Sequence, residues 1–442
     1  MALTGRTGLL ALAGVLVVGL LIPSWTGIVL VAVAVLAGIL VDLSLAGDVR
    51  GLTLDRSGAG SVRLGESADV VLTVGNPGRR PVRGLLRDAW PPSAGATVDG
   101  IDPPAVPRPR VQRLLVPAGG TGTVVTRLTP TRRGDRVPDL VTVRAFGPLG
   151  LAARQCSHRA PWTVRVLPPF HSRRHLPARL ARLRELDGRQ AVRVRGQGTE
   201  FDSLREYVGG DDVRSIDWRA TARAADVMVR TWRPERDRHI LLVLDTGRTS
   251  AGRVGDAPRL DAMLDAALLL AALAARAGDR VDLIAYDRRV RAAVSGSAAP
   301  ELLPALVDAM ATVEPELVES DARGMIAEVL RRARRRSLVV LLTGLDPAPL
   351  EAGLLPVLPH LTTRHRLLLA GVTDPRVVEM ASSRGDAEAV YAAAAAERTL
   401  AERRHVTAVL TRHGVDIVDA TPAELPPALA DRYLALKAAG RL

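Results

Sequence analysis

Between Arg6 and Asp42 the chain carries no charged side chain. Two apolar blocks, Leu9 to Ile22 and Gly27 to Val41, flank Pro23-Ser24-Trp25-Thr26. With a rise of about 1.5 Å per residue, a helix needs roughly 20 apolar residues to cross about 30 Å of hydrocarbon, so this run is too long for one span and enough for two short ones. Pro23 ends the first helix, Trp25 suits the interface and Gly27 restarts the chain. Arg6 on one side and Arg50 and Arg56 on the other place both ends in the cytoplasm by the positive-inside rule. The expectation is a two-span anchor over 1–47 in the cell membrane, with the soluble domains cytoplasmic. The alternatives are a cleaved signal peptide, with Ser44-Leu45-Ala46 at the cleavage site, or one kinked span that exports the body. A signal h-region usually has only about 7 to 15 apolar residues, which favours the hairpin.

Of 442 residues, 47% are hydrophobic, enough for two or three buried cores. Among 60 basic residues only Lys437 is lysine, and arginine is spread over every segment, so the formal charge of +13 does not by itself point to nucleic acid. The single Cys156 excludes an internal disulfide and a cysteine-built zinc site. A lone lysine near the C-terminus leaves no place for a phosphate-binding G-x-x-x-x-G-K-[ST] loop.

From 48 to 168 apolar residues alternate with period two, as in Val70-Val71-Leu72-Thr73-Val74, between turns at Asn76-Pro77-Gly78 and Ala118-Gly119-Gly120. This predicts a β-sandwich of immunoglobulin-like or fibronectin-like build, with Phe146 to Leu151 as a tight loop. A segment over 169–235 begins with a basic linker in which Arg173, Arg174, Arg179, Arg182, Arg184, Arg189, Arg193 and Arg195 face only Glu185 and Asp187. Its simplest roles are a solvated basic helix, contact with anionic lipid, or docking to an acidic partner. His171 and His175 share a helix face but lack a third ligand for zinc.

Carboxylates and guanidiniums then alternate through Glu200, Arg205, Asp211, Asp212, Arg214, Asp217, Trp218, Arg219 and Arg223. Asp211 or Asp212 is placed to cap a short helix with Val213, Ile216 and Ala220 on its buried stripe, and the interleaved charges predict an ion-pair lattice clamping two segments. The run Gly196-x-Gly-x-Glu200-Phe201, Leu204-Arg205-x-Tyr207, Gly210-Asp211-Asp212-x-Arg214-x-Ile216-Asp217-Trp218 and Ala220-Thr221-Ala222-Arg223 strongly resembles the signature of the bacterial domain of unknown function 58 family. That resemblance implies a two-span anchor, a β-domain and a C-terminal α/β domain. It also implies a MoxR-type AAA+ ATPase as partner, often beside a transglutaminase-like membrane protein, and no assigned activity.

Over 236–442 strands at His239 to Leu244, Val281 to Tyr286, Leu338 to Leu342 and Arg366 to Val372 alternate with helical stretches such as Leu260 to Arg276, which predicts a doubly wound α/β domain. Ligands in such sheets sit beyond the carboxyl ends of the strands, where Asp245-Thr246-Gly247-Arg248-Thr249 lies. The stretch resembles the von Willebrand factor type A domain, whose metal-ion-dependent adhesion site uses Asp-x-Ser-x-Ser. By that resemblance Asp245 and Thr249 match, Ser320 stands for the second-loop hydroxyl, and Thr343 or Asp346 supplies the later group. Gly247 replaces the first serine, and Mg²⁺ wants six oxygens in tight geometry, so the site reads as degenerate. Two outcomes stay open: weak Mg²⁺ binding that a serine at 247 would strengthen, or no cofactor, with Asp245 accepting backbone N–H bonds to cap its loop. In the C-terminal stretch, Arg403 and Arg404 read as the solvated face of a helix.

The sequence has neither a G-x-S-x-G nucleophile elbow nor an H-E-x-x-H motif. The expectation is a membrane-anchored, cytoplasm-facing interaction or scaffold protein that works with the ATPase, catalyses nothing itself and binds no nucleic acid. The alternatives are anionic-lipid or nucleic-acid binding through the basic linker, and an unrecognised hydrolase.

Overall fold

The computed structural model describes residues 1–98, 111–193, 200–224, 226–233 and 238–442, so Gly196 and Gly198 of the signature lie outside the described residues. The chain divides into two compact units, Met1–Leu167 and Pro168–Leu442.

In the first unit Pro23 separates helix α1 (Gly5–Leu21) from helix α2 (Trp25–Leu45), and the Ser24 hydroxyl caps α2 by accepting the Gly27 N–H at 3.2 Å. The two helices touch where a Cβ on Gly14 would stand 2.3 Å from Val31 Cγ1, a spacing that only glycine allows. Their remaining faces are exposed and apolar, with Leu20, Leu21 and Trp25 among the most accessible side chains of the molecule. By length and composition α2, with 21 residues, can cross a membrane, whereas α1 is a shorter apolar helix.

Both helices are rooted in the β-domain of the same unit. Ala2–Leu3 forms an antiparallel edge on Ala152–Ala153, and the hydroxyls of Thr4 and Thr7 donate to the Leu151 carbonyl. Fully buried Asp42, near the end of α2, accepts the backbone N–H groups of Leu149 at 2.8 Å, Leu151 at 2.7 Å and Ala152 at 2.8 Å. A tight loop leaves such donors without ladder partners, and one carboxylate satisfies three of them.

The β-domain has a five-stranded, a four-stranded and a three-stranded sheet. Period-two burial puts Leu72, Val74 and Val124 of the four-stranded sheet against Leu86, Val141 and Val143 of the five-stranded one. Between these layers lies the ion pair of Arg56 with Asp88. Arg56 is not a flanking charge: its side chain is inaccessible, forks onto Asp88 at 2.6 and 3.0 Å, donates to the Ala160 carbonyl and stacks over Trp90. Asp88 also accepts from Trp90 Nε1 and the Thr126 hydroxyl, so the buried charges are hydrogen-bonded on every side.

The second unit is built on a six-stranded sheet. Its strands are β1 (His239–Asp245), β2 (Arg280–Tyr286), β3 (Val290–Val294), β4 (Leu338–Leu342), β5 (Arg366–Val372) and β6 (Asp416–Ala420), in spatial order β3-β2-β1-β4-β5-β6. All pairings are parallel except β2 with β3. Residues Ile240 to Leu244 of β1 and the whole of β4 are apolar because both faces are covered. Leu241, Val243 and Val339 pack into a core with Met325, Leu358 and Leu410, while the almost wholly buried helix Arg259–Arg276 packs on β1, with the helix Leu425–Ala438 beside it. Strands β3 and β6 are not among those read from the sequence. Arg403 is also no solvated face: it is buried and pairs with Asp419 at 2.6 Å.

The 169–235 stretch does not run free. The Ser172 hydroxyl donates to Asp265 at 2.7 Å, and Arg179 of the helix Leu176–Arg193 pairs with Asp431 at 2.8 Å, which docks the linker on the α/β body.

Candidate functional site

Chain order runs from β1 outward through β2 and β3, then returns to the other side of β1 for β4, β5 and β6. The crevice beyond the carboxyl ends of β1 and β4 is therefore the topological switch point, where sheets of this kind hold ligands. Asp245 ends β1, and Thr343 and Gly344 follow β4 there. A cavity of about 360 Å³ opens at this place, with Asp245, Thr249, Ser320 and Thr343 at its polar end and Met325 and Leu350 among its apolar lining.

Asp245 is buried, and four donors converge on it. Its Oδ1 accepts from the Gly247 N–H at 2.9 Å and from the Ser320 hydroxyl; its Oδ2 accepts from the hydroxyls of Thr249 at 3.1 Å and Thr343 at 2.5 Å. The structure thus joins Asp245, Thr249 and Ser320 as expected, and of the two later candidates it brings in Thr343. Asp346 turns to Arg259, which holds it at 3.0 Å and also donates to the Thr249 carbonyl. Asp287 was missed by sequence reasoning. It follows β2, is buried, and accepts from the Thr246 hydroxyl and from the backbone N–H groups of Arg288 and Arg289. Its signal was its place after an apolar strand, the same signal that singled out Asp245.

Around Asp245 the remaining side-chain oxygens are the hydroxyls of Thr249, Ser320 and Thr343. Asp287 and Asp346 are engaged elsewhere, and among the described residues no group of three or more His, Cys, Asp or Glu side chains could hold a metal. Nor does Gly247 mark a simple lost ligand. A Cβ there would stand 2.1 Å from Ser320 Oγ and 2.9 Å from the Val318 carbonyl, so the Ser320 hydroxyl occupies the space that a serine at 247 would need.

The signature segment forms a hairpin of Glu200–Glu206 with Met228–Arg233, of which Glu200 is described by its backbone alone. Between the strands there is no single helix but a 3₁₀ turn, Val213–Ser215, and a short helix, Trp218–Thr221. Val213 is exposed, so the expected buried stripe is absent: two aspartates each start a separate turn and break the helical phase. Asp212 caps the first by accepting the Arg214 N–H, and Asp217 caps the second by accepting from Arg219 and Ala220. Among the described residues there are two ion pairs rather than a lattice, Arg205 with Asp211 at 2.5 Å and Arg230 with Asp217 at 2.7 Å. The Arg205 guanidinium and the Val208 N–H hold Asp211 below the usual carboxylate range; the Ala220 N–H and Arg230 do the same for Asp217. Arg214, Arg219, Arg223 and Trp218 are exposed, and Tyr207 and Val208 present further apolar surface.

Residues 203–426 match the family described as "Protein of unknown function DUF58", which takes in the signature segment from Ser203 onward and the sheet with its crevice. The chain belongs to the DUF58 family. An uncharacterized protein of Mycobacterium tuberculosis (strain ATCC 25618 / H37Rv) is 27% identical over 194 residues, 42% of this chain and 59% of that protein, and an uncharacterized protein of Mycobacterium bovis matches to the same extent. The DUF58 chain thus spans less than two thirds of the length of these curated relatives. Among solved structures, the CARDB domain of a Pyrococcus furiosus protein in complex with di-metal ions is 14% identical, covering 26% of this chain and 86% of that one at a TM-score of 0.17. A beta-glucosidase from Listeria innocua in complex with glucose is 17% identical, covering 26% and 16% at a TM-score of 0.15. Likeness at these scores carries neither fold nor ligand over to this chain.

Proposed function

We propose that this DUF58 protein is a membrane-anchored interaction protein with cytoplasmic soluble domains, which docks a MoxR-type AAA+ ATPase and catalyses nothing itself. The observation that carries the proposal is a ready-made cavity beside a carboxylate whose lone pairs are already taken. Four donors hold Asp245, and no histidine, cysteine or lysine lines the cavity, which favours a recognition surface over a catalytic one. Its apolar wall suits a side chain inserted by a partner, and the exposed Arg248–Glu319 pair at its edge adds direction. Exposed Trp218 beside Arg214 and Arg219 has the composition of a binding hot spot and supplies a second contact. The family resemblance of the signature names the ATPase as partner and leaves a transglutaminase-like membrane protein as a second one. Commitment of Arg179 and Arg182 to Asp431 weighs against the linker as a free lipid or nucleic-acid patch. The doubly wound sheet, its switch-point crevice and the clustering of Asp245 with Thr249 and Ser320 support a relationship to von Willebrand A domains, in a form that has replaced metal coordination by hydrogen bonding.

Support for a two-span anchor comes from the contact of α1 with α2 and from the return of both helix ends to one β-domain. Capture of purified ATPase by the detergent-solubilised full chain is the test, with Trp218→Ala expected to reduce it. Failure of the wild-type chain to capture the ATPase would remove the partner from the proposal. With Cys156 replaced, a thiol at Ser24 should react with an impermeant reagent in intact cells while one in the C-terminal stretch stays shielded, and the reverse pattern would overturn the topology.

A further inference from the structure

The opposite end of the sheet holds a second cavity, of about 790 Å³, at the amino ends of β1, β2 and β4. Its lining includes His239, Arg280, Arg332, Arg334 and Arg335. Arginine is common in this chain, so its presence alone means little; its pairing is informative. Arg280 is held by Asp282 at 3.1 Å and Arg332 by Glu328 at 2.6 Å, while Arg334 and Arg335 have no carboxylate partner among the described residues. His239 is fixed between Asp282 at 2.9 Å and the Ser337 hydroxyl at 2.9 Å. Asp279 is the one carboxylate of the lining, and it is turned inward: its side chain is inaccessible, Lys437 pairs with it at 2.7 Å, and the Tyr433 hydroxyl donates to it. The chain's single lysine thus neutralises the one acid that would oppose an anion here.

Guanidiniums without carboxylate partners lining one cavity repel each other, and a multivalent anion relieves that repulsion. Guanidiniums present forked donors that match phosphate oxygens two at a time. A volume near 790 Å³ is that of a pocket for an organic molecule rather than for one inorganic ion. From these observations we propose that this cavity binds a phosphorylated small molecule of the size of a nucleoside di- or triphosphate, at a site separate from the Asp245 crevice.

Thermal unfolding of the full chain in detergent, with pyrophosphate and with ATP as probes, tests the site. Both should raise the melting temperature of the wild-type chain, with ATP acting at the lower concentration, because a ligand of the folded state stabilises it by mass action. The double variant Arg334→Ala/Arg335→Ala changes two exposed side chains, so it should melt no lower than wild type without ligand, yet bind ATP at least tenfold more weakly by calorimetry. No shift at millimolar probe, or an equal shift and affinity in the double variant, would overturn the proposal. Arg334→Lys/Arg335→Lys, which keeps the charge and loses the fork, should fall between the two.

Discussion

Ser320 Oγ lies 2.1 Å from the point where a Cβ on Gly247 would stand. The glycine is therefore a requirement of the Ser320 hydroxyl at the Asp245 carboxylate, to which the Gly247 N–H also donates, and the two positions form one unit. Gly247→Ser should give no tight Mg²⁺ site and should destabilise the second unit by about 1–3 kcal/mol through overpacking. Unfolding of both proteins with and without Mg²⁺ checks this; a magnesium-dependent rise in stability confined to the variant would contradict it.

The Arg56–Asp88 pair makes a different prediction, because both side chains are removed from water. Truncation of one partner leaves an uncompensated buried charge, so Arg56→Ala should cost about 3–5 kcal/mol. Arg56→Met with Asp88→Leu should recover part of that loss, since Trp90 Nε1 and the Thr126 hydroxyl still lose their acceptor. Denaturant unfolding of the single and double variants measures the difference, and equal stabilities for wild type and Arg56→Ala would show that the pair does not hold the two sheets together.

His365 sets a pH dependence. Its ring is buried with both nitrogens unpartnered, and burial, reinforced by the charges of Arg364 and His239, holds its pKa below the ordinary histidine value. A depressed pKa in the folded state means that stability is intact above the unfolded value and is lost as pH falls through the folded one. The chain should lose up to about 1.4 kcal/mol per pH unit below about pH 6.5 through this residue. His365→Leu should flatten that slope just below about pH 6.5 in melting experiments; an unchanged slope would assign the acid sensitivity to other groups.

What could be read from the sequence depended on whether a residue's role was local. Asp245 stands at the end of an apolar strand, and its neighbour Thr249 lies within the same loop, so strand periodicity alone located them. The choice between Thr343 and Asp346 was invisible, because it rests on Arg259, which is 87 residues from Asp346 in sequence and claims its carboxylate. Arg56 and Arg403 were misread for the same reason: a charged residue in an alternating or helical pattern looks solvated until its distant partners, Asp88 and Asp419, are known. The two-residue edge Ala2–Leu3 is too short to carry a period, and Asp42 read as the end of an apolar run although its acceptors serve donors more than a hundred residues away.

The docking role rests on the cavity beside Asp245, and Asp245→Ala cannot test it alone because four donors would lose their acceptor. Ala348 is exposed on the rim of that cavity, so Ala348→Trp fills the space without touching the hydrogen-bonded centre. The decisive measurement is a binding titration of the MoxR-type ATPase against the full chain in detergent, wild type and Ala348→Trp, alongside their melting temperatures. Docking at the crevice predicts an affinity at least tenfold weaker in the variant, about 1.4 kcal/mol, with unchanged melting. Equal affinity for the two proteins would contradict it.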